Sequence, residues 1–227
     1  MGSRARQSLR VFDNPLLESL THVHPATPLL LWGPVAVWLI WRSFAVHHLS
    51  VAAVFGFAML GLFCWSLSEY LLHRYLFHLR PTGRFRARLQ FMIHGLHHDD
   101  PEDPTRLVLP PVPTCLGAVV FFTIFRILLG PVRAEPVFAF FAVGYLLYDY
   151  IHYASHRAVP WTRVGTTLKR NHMLHHYATP HAHWGVSSPL WDYVFGTTQD
   201  SRSQAATSGT EPTTRDHHTK RSSTVPD

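Results

Sequence analysis

The chain has 227 residues, 47% of them apolar, with 20 Lys and Arg against 14 Asp and Glu, 18 His and 2 Cys, a length that suits one compact unit. Cys64 and Cys115 lie in or beside apolar runs, which argues against a disulfide framework and a thiolate metal site. The basic balance comes without aromatic–basic interleaving or a nucleic-acid motif, so no nucleic acid is expected as a partner.

A short basic lead, residues 1–13, opens the chain with Arg4, Arg6 and Arg10. Leu29 to Trp41 is apolar throughout. After Arg42 and a predicted loop holding His47 and His48, Leu49 to Leu72 carries only Glu69. No proline interrupts Leu49 to His78, so one helix of about 45 Å is predicted there, longer than the roughly 30 Å hydrocarbon layer. Its last turns carry His73 and His78. On a 3.6-residue helix these two are about 140° apart, placed to flank a site rather than to grip one ion from one face.

A polar stretch follows with Arg74, Arg80, Arg84, Arg86, Arg88 and Arg106, and with His94, His97 and His98 spaced H-x-x-H-H. The first and second of these imidazoles are predicted on one helical face with the third slightly round, so one motif feeds two adjacent ions. Val112 to Leu129, apolar but for Arg126, and Pro136 to Ile151, apolar but for Asp149, form a second hairpin across Arg133. His152 and His156 extend its last helix, one turn apart on one face. His172, His175 and His176 repeat H-x-x-H-H, and His181 and His183 follow closely enough to stay ambiguous. Residues 198–227 are polar, rich in Ser, Thr, Arg and Pro, and are expected to be disordered and dispensable for chemistry.

The four apolar runs lack the polar residues at helical spacing that a soluble bundle shows. The expected fold is an all-α integral membrane protein, with four transmembrane helices in two hairpins and a histidine-rich helical cap. Basic residues gather before the first run, between the second and third, and after the fourth. Single arginines, Arg42 and Arg133, mark the other side. The positive-inside rule then makes both termini and every histidine cluster cytoplasmic, in a multi-pass protein of a bacterial inner membrane or the endoplasmic reticulum. The histidines lie beyond the ends of the apolar runs rather than at mid-membrane depth, which argues against a transporter.

Leaving an imidazole buried without a partner costs about 1–3 kcal/mol, so dense clusters point to ligation, and neutral imidazole suits iron, zinc and copper. The 10 clustered histidines exceed what one ion can use and suit two ions sharing a site. His22, His24, His47, His48, His217 and His218 fall in predicted loops, a surface segment and the tail, and are set aside. At a membrane surface such a site points to oxygen chemistry on a lipid.

The chain resembles the fatty acid hydroxylase superfamily, which includes sterol desaturases, and most closely the fatty acid 2-hydroxylase branch. The ordered histidine set carries the wider resemblance. The branch resemblance rests on His94-Gly95-Leu96-His97-His98 with Asp103, the run Arg106 to Pro111, Tyr148-Asp149 before His152, Tyr153, His172 to Tyr177, Gly185 to Ser188 and Trp191 to Thr197. It covers Asn14 to Thr197, so the expected hydroxylase domain is 14–197.

The resemblance implies a dinuclear centre of His73, His78, His94, His97, His98, His152, His156, His172, His175 and His176, with iron expected and zinc possible as isolated, and molecular oxygen as co-substrate. It implies hydroxylation at carbon 2 of a fatty acid or sphingolipid N-acyl chain. The alternative is a sibling that desaturates or hydroxylates a sterol, carotenoid or other lipid. Some relatives carry a fused cytochrome b5 domain. Only the basic lead precedes the membrane part here, so a separate electron donor is expected: cytochrome b5, a ferredoxin or a reductase. The arginines from Arg80 to Arg88, with Lys169 and Arg170, suit either an acidic partner or membrane topology alone.

Two residues are candidate catalytic groups. Asp149, three residues before His152, is expected to reach that ring's second nitrogen and raise its basicity, the alternative being a helix-end or arginine partner. Tyr148 is expected to line the substrate entry or to hydrogen-bond near the metals. Trp184 and Trp191 are expected either to wall an acyl channel or to anchor the chain at the membrane interface.

Overall fold

The computed structural model of the chain describes residues 9–19, 21–78 and 82–199. The first eight residues of the basic lead, most of the tail, Arg80 and the pair His217 and His218 lie outside these. The described residues are helical, without strands. In chain order they form α1 (Pro15–Ser19), α2 (Thr27–Ala45), α3 (Val51–Leu71), a π-helical segment π1 (Leu72–Phe77), α4 (Arg84–Gln90), a second π segment π2 (Phe91–Gly95), α5 (Leu96–Asp99), α6 (Pro111–Arg157), α7 (Arg163–Tyr177) and α8 (Leu190–Val194).

Three of these helical stretches are long and apolar enough to cross a membrane: Thr27–Ala45, Val51–Phe77 and the 47-residue Pro111–Arg157. Their ends follow local chemistry. Ser50 caps α3, its Oγ accepting from the Ala53 amide at 3.2 Å. Pro111 opens α6, where a missing N–H costs nothing. Inside α6, Gly130 takes φ 78° and ψ 169° immediately before Pro131. Proline disfavours the α conformation in the residue before it, and glycine accepts positive φ without a side-chain clash. The limbs of α6 fold back there. The rings of Phe121 and Phe141 have centroids 4.6 Å apart, whereas on an unbroken helix these residues would stand about 30 Å apart.

The core forms where α2 and α3 pack on α6, around Trp32, Trp65, Val137, Phe138, Phe141 and Tyr145. The outer faces are apolar as well: Leu30, Val37, Phe55, Val112, Ile127 and Leu128 are each more than 60% exposed. In water such a surface would be a liability, and against lipid tails it is the favourable one. At one end sits a cap of the short helices with α7. Arg106, counted above among the topogenic charges, is buried in it. It ties the amino-terminal segment down through Glu18 at 2.9 Å and the Leu9 carbonyl at 2.5 Å. At the far end, Arg42 and His47 pair with Glu135 at 2.8 and 3.0 Å.

Candidate metal centre

The clustered histidines of π1, π2, α5, α6 and α7, with His78 just after π1, converge into two groups of five. One is His73, His78, His94, His98 and His175. The other is His97, His152, His156, His172 and His176. Within each group the ligand atoms lie within 4.8 Å of one another, so each can hold a metal ion.

The grouping corrects two expectations. α3 widens into π1 at Leu72, and the i→i+5 turn of a π-helix removes the angular divergence of His73 and His78. Their rings sit 5.1 Å apart in one group. Each H-x-x-H-H divides between the groups, but the residues that stay together are the first and third. His94 and His98, with Nε2 atoms 3.0 Å apart, join the first group while His97 crosses to the second. His172 and His176, 3.1 Å apart, join the second while His175 crosses to the first. The two halves of the chain thus exchange one histidine each.

The donor set fits metal. His73, His152 and His175 use Nδ1 toward the carbonyls of Trp184, Leu107 and Ala182, at 2.6, 2.8 and 2.8 Å. A neutral ring donating from Nδ1 keeps only a lone pair at Nε2. The His73 Nε2 is buried without a hydrogen-bond partner among the described residues. Neighbouring Nε2 atoms stand 2.9 Å apart for His97 and His152, 2.7 Å for His156 and His172, and 3.1 Å for His78 and His175. Two ligands about 2.1 Å from one ion and at right angles would stand about 3 Å apart.

Burial first, then the charge of neighbouring imidazoles, keeps these rings neutral, the form that binds metal. His78 is pushed down to about 2, His175 to about 3 and His98 to about 4. His94, His97, His172 and His176 are held well below the usual imidazole range for the same reasons.

The expected Asp149–His152 contact is not formed. The second nitrogen of His152 goes to Leu107, and Asp149 instead accepts from the Tyr145 hydroxyl at 2.7 Å and the Leu109 amide at 3.4 Å. Tyr148 is buried and stacks parallel to His152, with centroids 5.9 Å apart. His181 and His183 belong to neither group.

Beside the histidines lies an apolar cavity of about 150 Å³, lined among others by Trp32, Trp65, Leu76, Phe77, Ile93 and Phe121. Its histidine end is marked by Phe77, which stacks on His94 at 5.1 Å. From there it runs between the limbs of α6 and α3. Trp184 and Trp191 do not wall it: Trp184 packs on His78 and His175 at 4.9 and 5.0 Å, and Trp191 packs on Phe63 at 5.5 Å. Trp32 and Trp65 are the wall tryptophans that sequence reasoning missed, because core and cavity aromatics look alike in an apolar run. The carbonyls of Leu107, Ala182 and Trp184 were also missed, since a backbone acceptor has no residue signature. Glu69, the single carboxylate in its apolar run, was a visible signal left unused.

Membrane-length apolar helices, two all-histidine groups each able to hold a metal ion and an apolar cavity beside them define the class as a membrane protein with a histidine-rich candidate metal site. The chain belongs to the fatty acid hydroxylase family, whose model matches residues 58–197, and is accordingly an oxidoreductase. It is 36% identical over 193 residues to the dihydroceramide fatty acyl 2-hydroxylase FAH1 of Arabidopsis thaliana, covering 85% of this chain and 81% of that protein. It is 36% identical over 211 residues to the fatty acid 2-hydroxylase of Homo sapiens, covering 83% of this chain but 56% of that one. A solved structure of full-length scs7p, in which only the hydroxylase domain is visible, superposes with a TM-score of 0.79 at 34% identity, over 85% of this chain and 72% of that one.

Proposed function

We propose that the chain hydroxylates carbon 2 of a fatty acyl chain, as a free acid or on a sphingolipid, with one iron ion held by each five-histidine group. The observation that carries this reading is the cavity. Its lining is apolar and includes Phe77, whose ring stacks on His94, which puts that end one side chain away from the histidines. An acyl tail laid in it keeps the roughly 0.8 kcal/mol per methylene that exposure to water would lose. The carbonyl end then stays by the histidines and the membrane surface. The bound metals supply the activation of molecular oxygen. In balance, one oxygen atom enters the C–H bond, and the other leaves as water with two electrons and two protons from a donor.

The protein's own residues hold neutral ligands, exclude water and aim one end of the chain. Tyr148, stacked on His152 and packed against Trp65 of the cavity wall, connects the two. Asp149 acts on Tyr145 and Leu109, both cavity residues.

In this reading the limbs of α6 make the third and fourth membrane passes, 14–197 is the hydroxylase domain, and the cap is cytoplasmic. A separate acidic electron donor docks on the cap. No carboxylate occurs between Asp149 and Asp192, while Arg157, Arg163, Lys169 and Arg170 do. Mass spectrometry of lipids from cells with and without the gene tests the reaction. One added oxygen at carbon 2 is expected. A mid-chain hydroxyl, or a new double bond without added oxygen, would move the protein to the sterol and carotenoid siblings.

A further inference from the structure

Four consecutive backbone amides beside the metal centre donate to two buried carboxylates. The Trp184 and Gly185 amides reach the two oxygens of Asp192 at 2.9 and 2.8 Å. The Val186 and Ser187 amides both reach Glu69 Oε1, at 2.8 and 2.7 Å. The Ser187 hydroxyl donates to the other Glu69 oxygen, and the Thr197 hydroxyl donates to Asp192 at 2.7 Å. Glu69 is 4% and Asp192 1% exposed, and neither has a salt-bridge partner among the described residues. Gly185 makes the approach possible. A Cβ there would stand 2.1 Å from the Ser188 carbonyl oxygen and 3.0 Å from an Asp192 oxygen.

Burying two carboxylates without cations is costly, and what they hold indicates why. The bracketed segment presents the Trp184 carbonyl to His73 Nδ1, and the adjoining Ala182 carbonyl goes to His175 Nδ1. The Trp184 ring packs on His78 and His175. All three histidines belong to the first group. The second group has a different support, since His152 uses the Leu107 carbonyl on another segment.

We propose that Glu69 and Asp192 are positioning residues for the first metal site alone. By gripping residues 184–187 they fix the carbonyls that set the tautomer and ring orientation of His73 and His175. This rests on the two-metal reading above. Partners of this kind typically change metal affinity about 10- to 100-fold when lost.

The test is metal analysis of detergent-purified full-length protein, with stepwise extraction by EDTA, on wild type and on Asp192→Asn, Glu69→Ala, Glu69→Gln and Ser187→Ala. Wild type should retain two equivalents. Asp192→Asn and Glu69→Ala should weaken one equivalent about 10- to 100-fold and leave the other unchanged. Glu69→Gln, which keeps an oxygen for the Val186 and Ser187 amides, should show a smaller loss at the same equivalent. Ser187→Ala removes only a hydroxyl, so it folds even where a carboxylate variant does not, and should weaken that equivalent by a few-fold. Both equivalents weakened alike, or neither weakened in Ser187→Ala and Glu69→Gln, would overturn the proposal. A wild type holding fewer than two equivalents would instead refute the two-metal reading.

Discussion

Gly117 gives the sharpest handle on the cavity. It lines the cavity wall from α6, and a Cβ built on it meets nothing within 4 Å. Gly117→Leu therefore grows into the cavity without shifting backbone, and leucine is favoured over glycine inside a helix by about 1 kcal/mol. The added side chain displaces about four methylenes of an occupying acyl chain, so at about 0.8 kcal/mol each the loss is about 3 kcal/mol. That corresponds to roughly two-hundredfold in kcat/KM. The loss should fall on long chains and spare chains about four carbons shorter, because the reacting end by Phe77 is untouched. Turnover across an acyl-length series in proteoliposomes, with metal content measured on the same samples, reads this directly. An unchanged length profile would show that the chain does not lie along this wall. A uniform loss at every length with normal metal would show that the substitution acts elsewhere.

Single substitutions His97→Ala, His156→Ala and His175→Ala should each abolish turnover, whereas His47→Ala, at the Glu135 end of the bundle, and His217→Ala should not; near-normal turnover in any of the first three would mean the site is assigned wrongly. Asp149→Asn should lower thermal stability by about 1–3 kcal/mol, through a mispaired Tyr145 or Leu109, and leave metal content unchanged. Metal loss in that variant would mean that the carboxylate does reach His152. Removing Gln199 to Asp227 should leave membrane insertion and activity intact, checked by membrane fractionation and lipid analysis. Lost activity at normal membrane levels would mean the tail docks the electron donor or covers the site.

Ligand chemistry and element type were legible in the residues themselves. Imidazole carries a metal-donor nitrogen in its own chemistry, an apolar run of membrane length needs no neighbour to be recognised, and His152 and His156 share a helical face by period alone. Gly130-Pro131 broke the long α6 where a hairpin was expected, because both residues act on their own backbone. The partition of the histidines was decided only in three dimensions. π1 turned His78 toward His73, and a change of helical register leaves no mark in composition. His97 and His175 crossed between groups because the packing of α5 against α7 set which cluster each ring joins. Asp149 stood within helical reach of His152, yet the tertiary fold brought the Leu107 carbonyl to the ring and the Leu109 amide to the carboxylate. The supports of the first site are likewise backbone carbonyls held by Glu69 and Asp192, 123 positions apart in the numbering. A backbone acceptor has the same chemistry at every residue, so only the folded chain could say which ones were used.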